Sequence, residues 1–310
     1  MTSVYANKNK KGYSRYIEIC LCLAVFIIAI YFGGAIKDGV IYGFKICFFN
    51  IIPTLFPFFI LSDLWSSLVL FQKDSIISKS FEWIFGINGE GLSSFLLGNI
   101  CGFPLGIKSA TEKYDHGLID KQELASLTAI ANNPSSAFVI SGVGLGLFSS
   151  IKVGFILYFS VIISAMIIGF ISKTKNKKVE NTKKITRQKF NLIESIKSAG
   201  LSSITVSSYI IFFSAVIGVI KSLTENVIAI SVISSFLEVG SACSIIAEER
   251  ELLSSYTLPM ISFSLGFSGL SVFLQAFSIL PESISKKNYL IKKLLQGILS
   301  AALTALLASI

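Results

Sequence analysis

The chain is poor in charge: 15% of its 310 residues are Asp, Glu, Lys or Arg, where a soluble domain of this length carries roughly a quarter. Histidine is nearly absent. His116 stands alone in the polar stretch Lys113-Tyr114-Asp115-His116-Gly117, which excludes a multi-histidine metal centre and reads as a solvated side chain. The five cysteines, Cys20, Cys22, Cys47, Cys101 and Cys243, lie in or beside apolar runs and form no CxxC pair. They read as small hydrophobes rather than a metal or redox site. No paired-carboxylate site, P-loop, Ser-His-Asp set or metal-ligand cluster occurs, so an enzyme is not expected. Gly142-x-Gly144-x-Gly146 lies inside an apolar span rather than after a strand, which argues against a dinucleotide loop.

Apolar residues fill the space that charge leaves. They make up 53% of the chain, mean hydropathy is +0.73, and several runs approach or exceed the ~20 residues that span a bilayer core. The reading is an all-α polytopic membrane protein. The net charge of +9 is concentrated before the first apolar run (Lys8, Lys10, Lys11, Arg15) and in one loop from Lys173 to Lys189. Such clusters mark the cytoplasmic side and anionic lipid, so a lipid bilayer is the expected partner and nucleic acid is not. The first run, Ile17 to Ile36, is too long for the apolar part of a signal peptide and reads as a retained helix.

Apolar segments fall at about 17–36, 40–62, 90–112, 122–148, 152–171, 191–221, 226–246, 252–280 and 288–310. With the amino terminus and the 172–190 loop both cytoplasmic, an even number of crossings must separate them, yet five segments do. The odd one is 90–112, whose break at Gly98 to Pro104 suits the tip of a re-entrant hairpin. Each arm of ~10 residues rises ~15 Å, about half the hydrocarbon thickness. The letters Ser93-Ser94-Phe95-Leu96 return at Ser234-Ser235-Phe236-Leu237 before a second break at Glu238 to Ser241, so 226–246 reads as a second hairpin, entering from the opposite face. The division expected is a basic amino terminus (1–16), an extra transmembrane helix (17–36), a first repeat (37–171), a basic cytoplasmic loop (172–190) and an inverted second repeat (191–310). Lys286, Lys287, Lys292 and Lys293 are expected at the cytoplasmic surface.

Each hairpin is followed by a broken helix: 122–148, interrupted at Asn132-Asn133-Pro134, and 252–280, interrupted at Gly266-Phe267-Ser268-Gly269. Matched interruptions in two halves are the sequence signal of a transporter's midplane site. Pro134 removes an intrahelical hydrogen bond, and a half-helix starting there would aim free N–H groups at the midplane. The candidate solute-binding residues are therefore Gly102, Pro104, Lys108, Asn132, Asn133, Ser135, Ser136, Glu238, Ser241, Ser268, Ser271 and Gln275. Lys108 reads either as a fixed charge for an anion or as a snorkelling side chain. Glu238 reads as a site for a coupling proton or cation, a partner of Lys108, or the holder of a helix end. Lys45 and Asp63 lie toward segment ends and read as interfacial. For the small residues of the set, the competing reading is close helix packing.

At these residues the sequence resembles the family of the sporulation integral membrane protein YlbJ (SpoVV), within the nucleoside-recognition or gate-domain group. The resemblance rests on Gly102-Phe103-Pro104-Leu105-Gly106-Ile107-Lys108, Tyr114 to Ile119, Asn132-Asn133 with Gly142 to Gly146, Leu237-Glu238-Val239-Gly240, and Gly266 to Gln275. It covers roughly 40–310 in one order; Phe273 and Pro134 depart from the family's pattern. It implies a fold similar to concentrative nucleoside transporters and transport of a small organic anion, dipicolinic acid, across the outer forespore membrane. No cofactor is implied beyond a coupling proton or cation, and a homo-oligomer is compatible with the sequence. The alternatives are a nucleoside transporter and a non-transporting assembly protein of the spore envelope, with the 172–190 loop docking a partner.

Overall fold

The computed structural model describes residues 18–68, 75–173 and 190–308. The basic amino terminus and almost all of the 172–190 loop lie outside the described residues. Among those that are described, every regular element is helical. Four helices are long and apolar enough to cross a membrane: Ile151–Ile171, Leu192–Leu223, Arg250–Ile279 and Lys286–Ala308. A fifth span results if the bent pair Glu18–Tyr31 and Gly33–Ile51 is counted as one.

Helix α1 (Glu18–Tyr31) ends at Phe32, and the chain turns by 82° into the next helix. The expected straight helix over 17–36 is thus interrupted, and Gly33 to Lys37 belong to α2 (Gly33–Ile46). A π-helical turn, Cys47–Ile51, joins α2 to α3 (Ile52–Leu68). A short amphipathic helix follows that the apolar segments gave no sign of, α4 (Ile76–Phe85). Its signals are local: Ser75 caps the first turn by accepting from the Ser78 amide at 3.1 Å, and Gly86 ends the helix at φ 66°, a left-handed value that glycine adopts without strain.

Two helix pairs form the next layer. Helices α5 (Gly89–Ile100) and α6 (Leu105–Asp115) run antiparallel about a turn at Cys101 to Pro104. The Ser94 and Ser109 hydroxyls meet at 2.9 Å, and Lys113 donates to the Glu90 carbonyl and the Ser93 hydroxyl. Gly98 and Gly106 let the arms close on each other and on the Ala131 carbonyl: a Cβ on either glycine would lie 1.9 Å from that oxygen. Helices α11 (Val227–Leu237) and α12 (Val239–Glu248) pack on each other about the single residue Glu238.

The segment 122–148 holds α7 (Lys121–Ile130), an irregular stretch at 131–135, a π-helical run Phe138–Leu145 and the single turn α8 (Gly146–Phe148). Asp120 and Glu123 form a capping box that starts α7. Helix resumes at Ser136, two residues after the expected Pro134, because Ser135 accepts from the Phe138 amide and fixes the new amino end. Helices α9 (Ile151–Ile171) and α10 (Leu192–Leu223) follow. After the short α13 (Arg250–Leu253), α14 (Thr257–Phe267) and α15 (Gly269–Ile279) are separated by Ser268, at φ 76°. The last helix is α16 (Lys286–Ala308). Small residues form the seams: α2 meets α10 through Gly39, Gly43 and Gly218, and α14 meets α16 through Gly266 and Gly297, as membrane helices require when no hydrophobic force drives them together.

Candidate functional site

Each hairpin turn docks on a helix break. The Phe103 amide donates to the Asn133 carbonyl at 2.9 Å, Ser136 donates to the Ile100 carbonyl at 3.1 Å, and Gly102 lies against Ser135. At the second hairpin, Gly269 lies against the Leu237 carbonyl and the Glu238 amide. Phe103, Ser135, Phe138, Glu238, Val239, Gly240, Ser271, Val272 and Gln275 line one pocket, together with Ile51, Leu55, Val206 and Ile210. Its empty volume, open solvent included, is about 470 Å³, but only about 20 Å³ can be reached by the centre of a water molecule. It is a narrow slot, with room for about one water.

Of the candidate residues, Ser135, Glu238, Ser271 and Gln275 line this slot. The Ser271 hydroxyl and the Gln275 Oε1 are buried without a hydrogen-bond partner among the described residues. Helix α15, which carries both, starts at Ser268, whose side chain makes no cap and donates instead to the Leu265 carbonyl. Glu238 spends its carboxylate on its own helix, accepting from the Gly240 amide at 2.8 Å and the Ser241 amide at 2.5 Å. Of the roles open to it, the geometry shows the helix end; no ion pair joins it to Lys108 among the described residues. Ser241 binds the Ser214 hydroxyl at 3.0 Å. Glu238→Ala uncaps α12 inside the core and should cost about 2 kcal/mol. Glu238→Gln, which keeps one acceptor, should cost less, and melting temperatures in detergent order the two.

Lys108 stands away from the slot, half-buried on α6. Its charge acts on Glu112, one turn further on, as does that of Asp63 from α3. Gly102 holds the hairpin turn at φ 87°, beside the cis Phe103-Pro104 bond. Neither Gly102 nor Pro104 lines the slot.

Asn132 and Asn133 lead to a polar cluster that the charge pattern misplaced. Lys293, expected at the cytoplasmic surface, is 0% exposed. Its ammonium donates to the Gln296 Oε1 at 2.8 Å, the Asn132 carbonyl at 2.9 Å and the Asn133 Oδ1 at 3.2 Å. Asn133 also accepts from Gln296 Nε2 at 2.7 Å and donates to Asn99 Oδ1 at 2.8 Å and the Ile130 carbonyl at 3.0 Å. The Asn132 amide donates to the Tyr289 hydroxyl, and Phe273 stands edge-on to the Tyr289 ring at 5.4 Å. The reason is helical phase. Tyr289, Lys293, Gln296, Ser300 and Thr304 are all buried, and their spacing of three and four puts them on one face of α16, which turns into the bundle. That stripe was the signal available in the sequence.

No known family profile matches the chain, and no solved structure matches it. It is similar to a sporulation integral membrane protein, YlbJ of Bacillus subtilis (strain 168), with 24% identity over 303 aligned residues, covering 83% of this chain and 74% of the relative. That likeness supports the family assignment drawn from the motifs.

Proposed function

We propose, from the premise of shared ancestry with YlbJ, that the chain is a sporulation membrane protein acting as a secondary transporter of a small planar organic acid, with dipicolinate the first candidate. The observation that carries this reading is that both hairpin turns (Phe103, Glu238), the first helix break (Ser135) and the amino-terminal half of α15 (Ser271, Val272, Gln275) line one narrow slot. Irregular backbone at membrane depth is tolerated only where protein or a polar cavity receives it. Here that backbone, Ser271 and Gln275 are the polar groups a solute would meet, between the rings of Phe103 and Phe138. The amino end of α15 has no side-chain cap, and its dipole favours a carboxylate there.

The element order supports an inverted repeat similar to concentrative nucleoside transporters: α2–α3, hairpin α5–α6, broken helix α7–α8 and α9 correspond to α10, hairpin α11–α12, broken helix α14–α15 and α16. Each hairpin docks on the break of its own half. In this scheme the narrow slot is a closed state, and transport opens it alternately to either face. The buried Glu238 carboxylate beside the slot favours a second reading, an uncharged ring such as a nucleoside.

Thermal stabilisation of the detergent-purified protein by dipicolinate, pyridine-2,6-dicarboxamide and a panel of nucleosides separates the two. The expected result is stabilisation by dipicolinate, with Gln275→Leu weakening it about tenfold or more, because one polar contact is lost. Stabilisation by nucleosides alone selects the second reading. No response to any ligand, or a Gln275→Leu protein that binds as the parent does, removes the slot as a solute site.

A further inference from the structure

We propose that Lys293 is a proton-binding site whose charge state is relayed to the first hairpin through a head-to-tail chain of three amides, Gln296, Asn133 and Asn99. The site goes beyond the transport reading and stands or falls independently of it.

The ammonium has three N–H donors, and the structure supplies three oxygens, all neutral: the Asn132 carbonyl, Asn133 Oδ1 and Gln296 Oε1. Among the described residues, no carboxylate hydrogen-bonds to it. The helices packed on α16 include α14, α9 and α7. Helix α14 carries no ionisable side chain. The ionisable groups of α9 are Lys152, in its first turn, and Tyr158, whose hydroxyl donates to the Asn99 carbonyl at 3.0 Å. Those of α7 are Lys121 and Glu123 in its first turn, Glu123 being held by Asn88 and Asp120. On α16, Tyr289 accepts from Asn132 and Lys292 reaches the Ala125 carbonyl at 3.5 Å. An uncompensated charge inside a membrane protein is costly and is retained where it has a use. With no ion pair to break, the site can gain or lose its proton at the expense of hydrogen-bond polarity alone.

That polarity is already arranged. Lys293 donates to the Gln296 oxygen, the Gln296 nitrogen donates to the Asn133 oxygen, and the Asn133 nitrogen donates to the Asn99 oxygen. The Asn99 nitrogen then donates to the Phe95 and Ile130 carbonyls at 2.7 and 3.1 Å. Every donor points away from the cation, so each amide is polarised by the one before it. An amine, unlike an ammonium, can also accept. It donates to two of the three oxygens and turns its lone pair to the third, while the Val161, Ile130 and Phe95 carbonyls, which accept from Gln296, Asn133 and Asn99, hold the amides in their orientation. Loss of the proton therefore weakens the polarisation of the whole chain without reversing it. Asn99 lies on α5 two residues before the hairpin turn. Protonation at α16 is thereby felt at the element that carries Phe103 to the slot.

The test is hydrogen exchange across residues 95–104, the turn end of the hairpin away from the Lys113 amine that ties the outer ends of its arms. It is measured in the full-length protein in detergent without solute, corrected for intrinsic rates, at about pH 6 and about pH 9. Hairpin protection should change about tenfold in the parent and stay constant in Lys293→Arg, whose guanidinium keeps its charge throughout. Asn99→Leu retains the ammonium but removes the amide on which both routes end, through Gln296 and directly through Asn133, and should be equally insensitive; it decides the matter if the arginine variant fails to fold. A parent hairpin indifferent to pH, or an unchanged pH response in the folded variant, overturns the proposal. Absence of solute transport with this response intact would instead count against the transport reading.

Discussion

Asn133→Ala is expected to destabilise the protein by about 4 kcal/mol, since each buried group left without its partner costs about 1–3 kcal/mol. The Asn133 side chain accepts from Lys293 and Gln296 and donates to Asn99 and to the Ile130 carbonyl. Truncation orphans the Asn99 oxygen outright and leaves the Gln296 nitrogen only the Val161 carbonyl at 3.3 Å, while Lys293 keeps Asn132 and Gln296. The melting temperature should fall by roughly 10 °C, and solute flux should be lost. Asn133→Asp is the informative companion. It retains an acceptor for Lys293 but places a second oxygen against Asn99 Oδ1 and the Ile130 carbonyl, so its loss should be smaller than that of alanine without vanishing.

Gly98→Val is expected to abolish the folded protein altogether. A Cβ at Gly98 would sit 1.9 Å from the Ala131 carbonyl and 2.9 Å from the Gly106 Cα. All of these are backbone atoms, so no side-chain rotation relieves the clash. The hairpin would have to lift from the α7 break, surrendering the Phe103–Asn133 hydrogen bond that seats its turn. The effect exceeds the 1–3 kcal/mol usual for an overfilled core. Gly200→Ala in α10 is the control, with nothing within 4 Å of the added carbon; it should stabilise by about 0.5–1 kcal/mol through helix propensity. Yields of monodisperse protein and melting curves distinguish the pair.

The helix interruptions could be located from composition because irregular backbone inside an apolar run demands residues that tolerate it. Asn132-Asn133-Pro134 and Ser268-Gly269 announce themselves in that way, and Glu238 before Val239-Gly240-Ser241 has the form of a helix cap. That Ser135, Glu238 and the start of α15 share one slot, while Asn132 and Asn133 face the Lys293 cluster, needed three dimensions. The bend at Phe32 and the π-helical stretches Cys47–Ile51 and Phe138–Leu145 have no local signature. Helix α4 was concealed by its short length and its mixed polarity. Lys293 was misplaced because lysines near a helix start follow the interfacial rule. The rule counts charges, whereas the spacing from Tyr289 to Thr304 records which way they face.

Uptake of labelled dipicolinate into proteoliposomes, with and without an imposed pH gradient, tests the central claim most directly. Vesicles carrying the parent protein should accumulate the label well above empty vesicles, and those carrying folded Gln275→Leu should accumulate much less. Uptake equal to that of empty vesicles under every gradient, from protein shown to be folded, would contradict the account.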